Sequence, residues 1–132
     1  MTRDRFARLV EEAFVRIPRR FRQAMHNVAV IVEDEPPPHV LDDMDLEPDE
    51  TLFGLYQGTP LPERGSTYGN TLPDRISIYQ NPIEEACADD EEIRQCVAET
   101  VIHEFGHYFG MSEDEIEAIE AKFWRGDSMD EN

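Results

Sequence analysis

The side chains best suited to chemistry lie in one stretch, His103-Glu104-Phe105-Gly106-His107. On a helix, residues four apart sit one turn above the other, so His103 and His107 present two imidazoles on one face. Two neutral imidazole nitrogens placed this way can hold one zinc ion. Glu104 projects about 100° round the helix from His103. It stands clear of the ligand pair, yet close enough to take a proton from a zinc-activated water. Metal-assisted hydrolysis with Glu104 as general base is the chemistry that this spacing allows.

The stretch continues as Tyr108-Phe109-Gly110-Met111-Ser112-Glu113. Gly110 can end the helix in a left-handed turn without a Cβ penalty. The chain then folds back under the metal, and Glu113 arrives as a third ligand beside His103 and His107. Three protein ligands leave a position for water, which is the arrangement of a catalytic site rather than a closed structural one. The plain alternative is a helix with two ordinary histidines.

The motif helix spans about Asp89 to Phe109, with Asp90, Glu91 and Glu92 at the positive end of its dipole. Val97, Val101, Phe105 and Tyr108 form the stripe that anchors it, and both histidines lie off that stripe. Gly106 makes room for a close neighbour. Ser112-x-x-Glu115 is a capping box opening a last helix to about Trp124, with Ile116, Ile119, Phe123 and Trp124 inward. Upstream, Phe6, Leu9, Val10, Ala13, Phe14 and Ile17 mark a helix over residues 3 to 17. A short helix follows from Pro18 to His26, with Phe21 and Met25 inward and His26 at the surface or as a cap. Val28 to Val32 is apolar on both faces and reads as a central strand. Residues 33–50 are acidic and proline-rich and read as a loop carrying His39, which nothing there would hold as a ligand. Thr51 to Gln57 reads as a strand interrupted by Gly54, and Arg75 to Tyr79 as a half-buried one. Asn81 as N-cap and Pro82 at the first helical position open a short helix carrying Cys87.

A chain of 132 residues with these elements is one domain, ending in a polar tail over 126–132. A net charge of -18 excludes a nucleic-acid-binding surface. No stretch spans a membrane, and no signal peptide precedes the first helix, which implies a cytoplasmic protein with Cys87 and Cys96 as free thiols. The oligomeric state is open, with a monomer the simplest count.

Together these residues resemble the small bacterial zincin-like metallopeptidases, or mini-zincins. The resemblance runs through Val28-Ala-Val-Ile-Val-Glu-Asp-Glu-Pro36, Gly54-Leu-Tyr-Gln-Gly58, Pro60-Leu61 with Glu63-Arg64-Gly65, Pro73-Asp74-Arg75-Ile76, Asn81-Pro82-Ile83 and Val101 through Gly110. It implies an α+β fold, a minimal zincin in which a small mixed sheet packs on helices that include the motif helix. It also implies a Zn2+ cofactor, a peptide or protein substrate, and an acidic third ligand. Glu113, rather than the adjacent Asp114, keeps that ligand's spacing from Gly110, although the family most often has aspartate there. Tyr56, Arg64, Tyr68 and Tyr79 are candidates to stabilise an oxyanion, each with a packing role as the alternative. The other functional class is a catalytically weak or inactive zinc-binding acidic interaction protein.

Overall fold

The organising element is a 19-residue helix, α5 (Asp90–Tyr108). Asp89 caps it, its side chain accepting from the Glu92 N–H at 2.9 Å, and three acids follow in the first turn. Its expected stripe is the core: Val97, Val101 and Tyr108 have no exposed surface and Phe105 has almost none. The computed structural model describes residues 1–43, 52–65 and 73–124. Tyr68, residues 44–51 and the tail lie outside them, and the side chains of Phe123 and Trp124 are likewise not described.

Around α5 the order is α1 (Arg3–Val15), α2 (Arg19–Ala24), β1 (Val28–Glu33), α3 (Pro38–Asp43), β2 (Gly54–Gln57), β3 (Asp74–Tyr79), α4 (Gln80–Ala86) and, after α5, α6 (Glu113–Trp124). A single 3₁₀ turn at Leu61–Glu63 lies between β2 and β3. The expected α+β class is the one observed. α1 buries Phe6, Val10 and Ala13 in the core cluster, and Phe14 meets Phe105 with ring centroids 5.6 Å apart. Among the described residues no helix is long and apolar enough to cross a membrane.

The sheet departs from expectation in one respect. Its order is β1-β3-β2, with β1 parallel and β2 antiparallel to β3. The centre is therefore β3, and Val28 to Val32 is an edge strand on which Val30 is exposed. Alternation misled at β3 because Ser77 is small enough to be buried, 1% exposed, between Ile76 and Ile78. Only Arg75 faces out, and it pairs with Glu33 across the sheet.

Three other boundaries move. The segment expected as a loop over 33–50 contains α3, a six-residue helix anchored by buried Val40. β2 starts at Gly54 and is not interrupted there. α4 begins at Gln80 with Tyr79 as its cap residue, so Asn81 is not the N-cap and Pro82 is the third helical residue. Proline is tolerated there because the first four helical N–H groups have no intrahelical partner.

A buried polar network ties the sheet to α5. Asp74, 3% exposed, accepts from the Tyr56 hydroxyl at 2.5 Å and from Arg64 Nη2 at 2.7 Å. Arg64 also donates to the carbonyls of Thr59 and His26 and lies 5.1 Å over the Tyr108 ring. The Tyr108 hydroxyl accepts from the His26 N–H and donates to the His26 carbonyl. Removing one member of a buried ion pair leaves the other without compensation. Asp74→Ala is therefore expected to cost about 3–5 kcal/mol of folding stability, read by urea denaturation; a loss below about 1 kcal/mol would show that the pair is not the fastening described here.

Candidate metal and catalytic site

His103 and His107 lie one turn apart on α5, off its buried stripe, with side chains 36% and 38% exposed. Their ring centroids are 4.8 Å apart. The helix ends where the glycine was expected to end it. Gly110 has φ +72°, its N–H bonds the His107 carbonyl, and the Met111 N–H bonds the Gly106 carbonyl. This pair of bonds is the Schellman motif. Ser112 and Glu115 then form the expected capping box, each side chain accepting from the other residue's N–H. The two caps reverse the chain within four residues, so α6 packs against α5. The close approach needs Gly106, where a Cβ would fall 2.5 Å from Ile116 Cγ1.

That reversal brings Glu113 to the histidines. Its carboxylate oxygens lie 3.9 Å from His103 Nε2 and 3.8 Å from His107 Nε2. Two imidazoles and a carboxylate form a zinc donor set, in which neighbouring donors stand about 3.3 Å apart at ordinary zinc–ligand lengths. The donors present are slightly wider, and Glu113, whose side chain is 66% exposed, has the freedom to close the difference. The residues fit the ion. Asp114 is exposed in the first turn of α6 and makes no contact with either histidine.

Glu104 is placed differently. It is 8% exposed, and one carboxylate oxygen accepts from the Tyr56 N–H of β2 at 2.9 Å. Ligand atoms of His103, Glu104 and His107 all lie within 4.8 Å of one another. Burial raises the Glu104 carboxyl above the usual carboxylate range, against the pull of both histidines and the Tyr56 N–H.

In front of these groups runs a cleft of about 480 Å³ lined by Leu52, Phe53, Gly54, Thr100, Glu99 and Glu120 together with His103, Glu104 and Cys96. Leu52, Phe53 and Gly54, where the chain enters the edge strand β2, line one side of it. A second cavity, of about 30 Å³ between Phe21, Phe105, Phe109 and Ile116, is apolar and offers no donor set.

The oxyanion candidates are engaged elsewhere. The Tyr56 hydroxyl is bound to Asp74, and burial with that bond raises its pKa strongly. Arg64 belongs to the same network, and Tyr79 is buried in β3. Tyr68 lies outside the described residues.

The model of the zincin-like metallopeptidase family matches residues 25–123, three quarters of the chain. The chain belongs to that family. No curated protein matches it. The match covers the sheet, the motif helix and nearly all of α6, and leaves out α1 and α2, of which α1 contributes core residues all the same.

Two partners of this zincin-like site escape motif reasoning. The Tyr56 N–H is a backbone group, and no residue pattern marks it. Glu120 Oε1 lies 3.2 Å from His103 Nδ1. Its only signal in the sequence is the seven-residue step from Glu113, hidden in a helix with five acids.

The cleft also contains a thiol, which burial pushes up to about 11 for Cys96, with Cys87 adding to the shift. Thiolate is the reactive form. At pH 8, alkylation of Cys96 by iodoacetamide is expected to run about a hundredfold slower than that of an unstructured thiol, followed by mass spectrometry of quenched samples. Equally fast labelling would contradict a half-buried thiol held protonated.

Proposed function

We propose that the chain is a zinc-dependent metallopeptidase that hydrolyses peptide bonds, with His103, His107 and Glu113 as ligands and Glu104 as general base. The observation that carries this reading is the tether on Glu104. A carboxylate that served as a fourth ligand would close the site. Glu104 instead leans on the Tyr56 N–H of β2, buried beside the two imidazoles.

A bound zinc supplies Lewis acidity and a water acidic enough to lose its proton near neutral pH. Glu104 takes that proton and delivers it to the departing amine. Its raised proton affinity suits both halves of this transfer. The Tyr56 N–H fixes the carboxylate's direction without supplying a competing charge. The substrate is a peptide or an extended protein segment lying in the cleft beside Leu52, Phe53 and Gly54, with the Tyr56 N–H left to Glu104.

The test combines zinc content with cleavage of a peptide library. The parent is expected to hold one zinc per chain, and His103→Ala to lose it. Glu104→Gln preserves size and the Tyr56 bond, so it is expected to keep its zinc and lose turnover by about 10²–10⁴-fold. Cleavage by Glu104→Gln at the parental rate would sink the mechanism. Zinc binding in the parent with no cleavage of any peptide would favour the inactive zinc-binding interaction protein instead.

A further inference from the structure

We infer that Glu120 is a positioning residue for the metal: its carboxylate holds His103 in the Nδ1–H tautomer and so reserves Nε2 for the ion. The inference rests on the zinc site proposed above and adds a residue outside its motif.

The two nitrogens of His103 face different carboxylates of the same helix. Nδ1 lies 3.2 Å from Glu120 Oε1, and Nε2 lies 3.9 Å from Glu113 Oε2. An ionised carboxylate only accepts, so the nitrogen that Glu120 touches must carry the proton. In a neutral imidazole the other nitrogen then presents its lone pair. That nitrogen is the one on the side where His107 Nε2 and Glu113 converge. Had Glu120 faced Nε2, the same bond would have blocked the site.

The placement follows from helix geometry. Seven residues make nearly two turns, so Glu113 and Glu120 lie on one stripe of α6. Burial separates their roles, since the Glu120 side chain is 17% exposed, against 66% for Glu113. The covered acid keeps a fixed partner, while the open one keeps the freedom to meet an ion. α6 therefore addresses one imidazole twice, once to orient it and once to share its ligand. A carboxylate on the distal nitrogen fixes the ring and makes the ligating nitrogen more basic.

The experiment is zinc affinity by competition with a chromophoric chelator, on the full chain and on Glu120→Ala, Glu120→Gln, Glu117→Ala and His103→Ala. Circular dichroism and melting of the metal-free proteins check that each variant folds. Glu120→Ala is expected to bind zinc about 10–100-fold more weakly. Glu120→Gln, whose amide oxygen still accepts from Nδ1–H, should recover part of the loss. Glu117, on the same stripe of α6 but exposed and paired with neither histidine, should change affinity less than about twofold. A long-range ¹H–¹⁵N spectrum of the metal-free protein should show His103 as the Nδ1–H tautomer in the parent and as a mixture in Glu120→Ala. A helix-packing role alone would lower the affinity by loosening Glu113 but would leave the His103 tautomer unmoved, so the tautomer separates the two. Parental affinity in Glu120→Ala overturns the inference, and so does a loss as complete as that of His103→Ala, which would make Glu120 a ligand. If His103→Ala itself binds zinc like the parent, the site reading fails and not this inference alone.

Discussion

The hydrogen bond from the Tyr56 N–H to Glu104 constrains most of this molecule. A carboxylate that is 8% exposed loses hydration, and a fixed donor must replace it. Here the donor is a strand N–H that makes no ladder bond, which only the outer side of an edge strand provides. A fourth strand beside β2 would consume the donor and cover the cleft. The three-stranded order β1-β3-β2 is thus the sheet that this site permits, with β2 at the edge and β3 sheltered between its neighbours. α5 must then cross at that edge, presenting Glu104 to the strand and His103 to the cleft.

The other half of the site depends on how fast the chain turns. Between His107 and Glu113 it must leave one helix, reverse and start another. Gly110 satisfies the last carbonyls of α5 through the Schellman bonds, and the Ser112–Glu115 box satisfies the first N–H groups of α6. Both devices are local: each links residues no more than five apart. For that reason the sequence made them readable, as it did the α1 stripe, the acidic first turn of α5 and its buried face. Gly106 was readable as a need for space, and Ile116 is the neighbour that takes it.

What the sequence concealed is non-local. Val28 to Val32 is more apolar than Arg75 to Tyr79, yet it lies at the edge, because strand order depends on which strand finds two partners. Hydropathy ranks strands by composition, whereas a serine buried in β3 is hydrophobic enough by its size and setting. α3 was hidden among prolines and acids, since a single buried valine anchors it. Asp74 precedes the strand read from Arg75 to Tyr79, and its buried role rests on Tyr56 and Arg64, 18 and 10 residues away. The family match and the motif agree on the helix that bears the histidines, but neither distinguishes one α6 acid from another.

The two helices that build the site are fastened unequally. α5 is held on both sides of its ligands, at Glu104 by β2 and at Tyr108 by the His26 backbone beneath the Arg64 guanidinium. Among the described side chains of α6, Ile116 alone is fully covered, and Ile119 is partly so. Beyond these, the described contacts that dock it are the caps and the approach of Glu120 and Glu113 to the histidines. On the zinc reading, the imidazole pair is therefore preformed, while the carboxylate donor arrives on the looser element. Ion binding then contributes to the docking of α6, because free energy gained at a ligand is gained by the structure that presents it. A domain with so small a sheet has few other means of holding its last helix. The acids of α6 suit it to presenting a metal ligand. With Ile116 seated against Gly106, the described polar contacts of α6 with α5 are directed at the imidazoles of His103 and His107.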